Sequence, residues 1–248
     1  MDRLENLKNI IMYLMADNHV SHRIPSTLEE RQRMMRALMN VWEPRLIAED
    51  VLTMQDAELL MQREDKGVVE VHDEGLTIWQ GDITRLKVDA IVNAANAQAL
   101  GCWAPLHNCI DNCIHSAAGI QLRKECADKM QGRLLATGDA FITKGYNLPA
   151  KHVIHTVGPI IPDGIPTKEQ EEQLAQCYRS CLDLAEQNGL ESIAFCCIST
   201  GVFHFPNELA ARIAIETVKS YPRHALKTIV FNVFLDKDRD IYQQLLGA

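Results

Sequence analysis

Val88-Asp89-Ala90-Ile91-Val92-Asn93-Ala94-Ala95-Asn96 is a short β-prone run that ends in polar amides. Residues 89 to 94 read as one strand, with Asn93 and Asn96 at its end, where side-chain amides can both donate and accept hydrogen bonds. Working outward, similar runs recur at 76 to 79 (LTIW), 139 to 144 (DAFITK), 152 to 157 (HVIHTV), 192 to 198 (SIAFCCI) and 228 to 234 (TIVFNVF). Apolar residues at helical spacing separate them, near 108 to 128, 169 to 188, 207 to 220 and 236 to 246. Strand and helix alternating in this way predict an α/β fold with a largely parallel sheet covered by helices on both faces. Such a sheet binds ligands at the C-terminal ends of its strands.

Upstream the pattern differs. From residue 1 to about Lys66 the apolar positions recur at helical spacing, and Ser26-Thr27-Leu28-Glu29 after Pro25 reads as a capping box, so two or three helices are expected. The charged run Arg63-Glu64-Asp65-Lys66 followed by Gly67 reads as a helix stop. The expected division is a helical extension over 1–70 and an α/β domain over 71–248.

Composition narrows the function classes. Lys plus Arg number 25 against 33 Asp plus Glu, and a net charge of −8 opposes broad attraction to a nucleic-acid backbone, so any bound phosphate needs a local site. No apolar run is long enough to span a bilayer, and the first residues lack the basic start and apolar stretch of a signal peptide. Eight cysteines without secretory context point to a reducing compartment, with the cytoplasm as the expected location, where thiols are buried or bind metal.

The densest chemistry lies in Gly101-Cys102-Trp103-Ala104-Pro105-Leu106-His107-Asn108-Cys109. Its C-x4-H-x-C spacing puts two thiols and an imidazole in one tight loop, a donor set that suits zinc. Three ligands leave a coordination position open for water or substrate. Cys113, one helical turn after Cys109, would close the site if recruited, and His115 is a weaker fourth candidate. Asp111 stands near the predicted helix start, where it either caps the helix or places a carboxylate beside the metal. Ser199-Thr200-Gly201-Val202-Phe203 falls between a strand and a helix, a place where backbone N–H groups can face a phosphate without any lysine. Gly81-Asp82-Ile83-Thr84 after the strand at 76 to 79 reads on its own as a turn.

Taken in order, Gly81 to Thr84, Val88 to Asn96, Ile154-His155-Thr156-Val157-Gly158-Pro159 and Ser199 to Phe203 closely resemble the macrodomain family over roughly Val71 to Leu246. The resemblance implies a three-layer α/β/α sandwich with a mixed, largely parallel central sheet and an ADP-ribose cleft. It assigns Asp82 to the adenine amino group with the Ile83 backbone beside it, Asn96 to the distal ribose, and Asn93 to support of the loop from behind. Ser199, Thr200, Gly201, Val202 and Phe203 would wrap the diphosphate through main-chain N–H groups, and the aromatic ring of Phe203 would wall the distal ribose. The sequence departs from the mainstream family in the glycine-rich loop, of which only Gly101 remains, and at His204, where many members have glycine.

With Cys102, His107 and Cys109 in that loop and a helical extension ahead of it, the chain is similar to the zinc-containing macrodomains of bacteria and fungi. That similarity implies one zinc ion per chain and hydrolysis of mono-ADP-ribose from protein side chains, with Asp or Glu esters as the expected linkage. Asn96 and Asp111 would act on the reacting ribose and water. A non-catalytic ADP-ribose reader and an O-acetyl-ADP-ribose deacetylase are the alternatives. It further implies a link to a sirtuin-like ADP-ribosyltransferase and a lipoyl-carrier protein as substrate.

Overall fold

The computed structural model describes residues 2–247; Met1 and Ala248, the outermost residues of the expected division, lie outside it. Three helices come first: α1 (Arg3–Asp17), α2 (Leu28–Asn40) and α3 (Glu49–Lys66). Asp2 and Thr27 cap the first two by accepting from the N–H groups of Glu5 and Glu30, and Gly67, at φ 77°, ends the third. The cap of α2 is thus Thr27 with Glu30 at the third helical position, one residue later than the Ser26 and Glu29 of the predicted capping box. Leu7, Ile10, Ile11 and Leu14 of α1 meet Met35, Leu38 and Met39 of α2 in a core of their own. Ile120, from far along the chain, is buried in that same core.

The rest of the chain alternates. In order come β1 (Val69–Glu70), β2 (Gly75–Gln80), β3 (Leu86–Lys87), β4 (Ala90–Ala94), α4 (Ile110–Ala118), α5 (Ile120–Met130), β5 (Ala140–Lys144) and β6 (His152–Thr156). They are followed by α6 (Lys168–Gln187), β7 (Ser192–Phe195), α7 (Asn207–Ser220), β8 (Thr228–Val233) and α8 (Asp236–Leu246). Six strands form one sheet in the order β2-β8-β7-β4-β6-β5, parallel throughout except for the β5–β6 pair. The helices flank this sheet in an α/β/α sandwich, the fold expected from the alternation. β4, β7 and β8 are almost wholly buried, as covered parallel strands require. The short strand β1 pairs with β3 outside the main sheet.

Two local differences from the sequence reading have physical causes. The helical pattern near 108 to 128 is two helices, because Gly119 at φ 104° breaks the ladder between α4 and α5. The run at 192 to 198 pairs only as far as Phe195, and Cys196 to Ile198 leave the sheet toward the next loop. Among the described residues no helix is long and apolar enough to cross a membrane.

Candidate functional site

Because β2, β8, β7, β4 and β6 are parallel, their C-terminal ends share one edge of the sheet. Asp82 follows β2, Phe234 follows β8, residues 199–203 follow β7, and Asn96 and the cysteine loop follow β4. Asp82, residues 199–203, Asn96 and the cysteine loop therefore follow strand ends on one edge of the sheet, in an order set by the strand order.

At the β2 end, Asp82 begins a single 3-10 turn, Ile83–Arg85, and accepts from the N–H and hydroxyl of Thr84 at 3.0 and 2.6 Å. Its other oxygen meets Lys66 Nζ of α3 at 3.3 Å. Burial works to raise this carboxyl's pKa, but the Thr84 hydrogen bonds and the Lys66 charge outweigh it and hold the pKa below the usual range. Ile83 is buried. Beside this corner Phe234, the residue directly after buried β8, is 70% exposed. In the sequence Phe234 is only the end of a β-prone run, and the one signal it carries is an aromatic at the C-terminal tip of a parallel strand.

In the middle, the 199–203 loop is built from backbone. Ser199 takes a left-handed φ of 64°, and Phe205 N–H returns to the Ser199 carbonyl at 3.0 Å. His204, also left-handed at φ 58°, donates to the Gly201 carbonyl, and Ile161 N–H donates to the Phe203 carbonyl at 2.8 Å. The N–H groups of Gly201, Val202 and Phe203 donate to no carbonyl among the described residues. Gly201 and Val202 are exposed and Phe203 half-buried, so three successive donors without a backbone acceptor among the described residues lie in an open loop just ahead of α7. Gly158 supports the loop from below: a β-carbon there would lie 2.0 Å from Ser199 Oγ. That hydroxyl is itself buried without a partner among the described residues.

On the far side, Cys102 Sγ, His107 Nδ1 and Cys109 Sγ lie within 4.8 Å of one another, with the Cys102–His107 separation 3.8 Å. Ligand atoms around one tetrahedral zinc sit roughly 3.5–3.8 Å apart given ordinary Zn–S and Zn–N bond lengths, so the loop is close to the required shape. Two thiols and an imidazole also match zinc chemically, and the residues fit the ion. Cys113 lies outside this group; its Sγ faces Arg36 Nη2 at 3.9 Å. Burial pushes the Cys109 thiol up to about 12, and its sulfur accepts from Asn112 N–H at 3.4 Å as the cap of α4. Metal binding would therefore have to displace the Cys109 proton.

Asp111 does not cap α4. It turns inward, 4% exposed, and accepts from Asn93 Nδ2 at 2.7 Å and Asn96 Nδ2 at 3.4 Å. Burial raises its pKa to about 6. Asn96 is half-buried, donates also to the Gly101 carbonyl, and accepts from the N–H groups of Gln98 and Ala99. Asn93 is fully buried and meets His155 Nδ1 at 3.1 Å. His115 is buried in this interior, its Nε2 3.6 Å from Asp111 Oδ1 and its ring against Gly101, where a β-carbon would come within 2.8 Å. His115, Cys126 and His155 form a second cluster of metal-type groups, wholly buried. Both nitrogens of His155 already have neighbours, Asn93 and Thr143, and burial lowers its pKa to about 3. A void of about 10 Å³ borders His115 and could hold one water.

Comparisons with known proteins bear on the family and the fold. The Macro domain family model matches residues 92–214. A protein from Staphylococcus aureus (strain MSSA476) named protein-ADP-ribose hydrolase is 45% identical, over 98% of this chain and 97% of that protein. One of the same name from Treponema medium is 47% identical, over 96% of this chain and 97% of that protein. Among solved structures, a Trypanosoma brucei macrodomain in complex with ADP-ribose superposes with a TM-score of 0.65 at 29% identity, covering 90% of this chain and 97% of that one.

Proposed function

The chain belongs to the macrodomain family, and from that membership we propose that it is a hydrolase that removes mono-ADP-ribose from protein side chains with the help of one zinc ion. The observation that carries this reading is the Cys102, His107 and Cys109 trio on the same sheet edge as the three free N–H groups of 201–203. A phosphate cradle and an open metal site side by side suit cleavage better than recognition alone.

In this reading Asp82 and the backbone at Ile83 hold the adenine, and the exposed ring of Phe234 stacks on it. The diphosphate lies along Ser199 to Phe203, where developing or resident negative charge meets fixed backbone dipoles. Phe203 walls the distal ribose and Asn96 presents its amide to it. Asp111 works from behind, fixing the Asn96 and Asn93 amides through its two oxygens. Zinc held by Cys102, His107 and Cys109 would act as a Lewis acid on a ribose hydroxyl or the departing carboxylate, or lower the pKa of a bound water. Most binding free energy would come from the adenine and diphosphate, remote from the bond that breaks. Residues 1–70 are then an extension to the α/β domain of 71–248.

The test is to incubate the purified chain with a Glu- or Asp-linked mono-ADP-ribosylated protein, a lipoyl-carrier protein being the first choice, with and without a strong zinc chelator. Bound metal and released ADP-ribose are measured together. About one zinc per chain and release that stops with chelation are expected. Binding of ADP-ribose without release would make the protein a reader and overturn the proposal.

A further inference from the structure

The cysteine loop is held less by its own backbone than by side chains that cross to the N-terminal helices. Arg36, on α2, donates from Nη2 to the His107 carbonyl at 2.8 Å and to Asn112 Oδ1 at 2.8 Å, with Nε adding a second approach to Asn112 at 3.3 Å. Asn112 is fully buried and passes this restraint on, donating from Nδ2 to the Ala104 carbonyl and from its N–H to Cys109 Sγ. Asn40, the last residue of α2 and 2% exposed, accepts from Leu106 N–H at 2.9 Å. Leu106 needs that help, because it sits at a left-handed φ of 60° one residue before His107. At the other end, Arg123 donates to the Cys102 carbonyl at 3.3 Å and to the carbonyls of Met39, Asn40 and Trp42. Its guanidinium also lies over the Trp103 ring, 4.1 Å from the centroid.

We infer that Arg36 and Asn40 of the N-terminal helices are positioning residues for the metal loop, fixing His107 and Cys109 so that the loop accepts zinc without first having to order itself. This rests on the reading of Cys102, His107 and Cys109 as zinc ligands. The physical basis is preorganisation: partners beyond the ligands orient them, and losing such a partner costs about 10- to 100-fold in metal affinity. A forked guanidinium can hold the His107 carbonyl and the Asn112 amide at once, whereas an ammonium on a flexible stem cannot do so in fixed geometry. The extension therefore serves the active site as well as the packing of the domain.

The experiment uses the full chain and zinc alone as the probe. Zinc affinity is measured by competition with a chromophoric chelator for the wild type, Arg36→Met, Arg36→Lys and Arg33→Met, an exposed arginine of the same helix. Thermal midpoints of the metal-free proteins and their ADP-ribose affinities are measured in parallel. Arg36→Met should weaken zinc about 10- to 100-fold, with ADP-ribose affinity unchanged and the metal-free protein still melting in one cooperative transition. Arg36→Lys, which keeps the charge and loses the fork, should fall between Arg36→Met and wild type, and Arg33→Met should match wild type. If Arg36→Met fails to fold, Arg36→Lys carries the test, with at least about threefold weakening expected. Zinc affinity within twofold of wild type in folded Arg36 variants overturns the inference. A wild-type chain that binds no zinc overturns the zinc reading and this inference together.

Discussion

The loop after β7 and the loop after β4 stand on the same sheet edge and are built by opposite means. Residues 199–203 hold their shape through backbone hydrogen bonds to Phe205, His204 and Ile161, and offer N–H groups. Residues 102–109 offer side chains, and depend for their shape on Arg36, Asn40, Asn112 and Arg123. The first arrangement is indifferent to most side-chain changes and sensitive to backbone crowding. The second is sensitive to single side chains, including distant ones. Binding and bond cleavage should therefore be separable by mutation, and the sharpest test is at the metal loop. Cys109→Ser should abolish zinc retention and lower ADP-ribose release at least about hundredfold, since metal catalysis supplies several kcal/mol. ADP-ribose affinity, read by calorimetry on the same protein, should move less than about threefold, because its contacts lie elsewhere. Equal loss of affinity and turnover would break the separation.

The converse variant is Gly158→Val. Its β-carbon would collide with Ser199 Oγ and with Ile198 Cγ2 at 2.8 Å, in a buried spot that cannot open without displacing the loop. Losing two well-aimed hydrogen bonds to a charged group, each worth about 1.5–3 kcal/mol, predicts ADP-ribose binding weaker by about hundredfold or more. Zinc content should stay at the wild-type level. A variant that binds ADP-ribose normally would mean that the loop's backbone is not what holds the diphosphate.

This asymmetry also decides what could be read from the chain. The strands, the parallel sheet and the line of sites along its edge follow from short β-prone runs and polar ends, and the Cys102, His107 and Cys109 trio follows from local spacing. The supports of that trio do not, because they are long-range: Arg36 is 71 residues from His107, and Arg123 is 21 from Cys102. Asp111 shows the same limit. A carboxylate near a helix start carries no sign of its rotation, and only the packing of α4 against β4 turns it toward Asn93. The break at Gly119 was hidden for another reason, since the apolar pattern continues across it into α5.

The interior behind the metal loop brings a pH dependence of its own. His155 is wholly buried, and burial lowers its pKa to about 3, against an ordinary value near 6.5. The unfolded chain therefore takes up this proton first as pH falls, so stability is lost on going down from about 6.5 toward 3. At pH 5 the cost reaches about 2 kcal/mol for this one group. His155→Gln, which has no proton to gain, should show a visibly shallower fall in denaturation midpoint between pH 7 and 5. An identical slope in the variant would mean that other groups set the acid sensitivity.

The smallest effect is expected where the extension touches the other end of the cleft. Lys66 reaches Asp82 across 3.3 Å, but both side chains are open to water, at 51% and 34% exposure. Exposed pairs of this kind contribute about 0–1 kcal/mol and weaken with salt. Asp82 also keeps its two Thr84 hydrogen bonds without the lysine. Lys66→Met should therefore change ADP-ribose affinity less than about twofold at physiological salt, and leave zinc affinity untouched. The contrast with Arg36 is physical: the helix bundle meets the Asp82 carboxylate through a solvated charge, with Arg85 donating to the Gly67 carbonyl farther along the same turn, and meets the metal loop through several directed, partly buried hydrogen bonds. A change in ADP-ribose affinity of tenfold or more in Lys66→Met would reverse that ranking and make the extension a partner in binding as much as in metal retention.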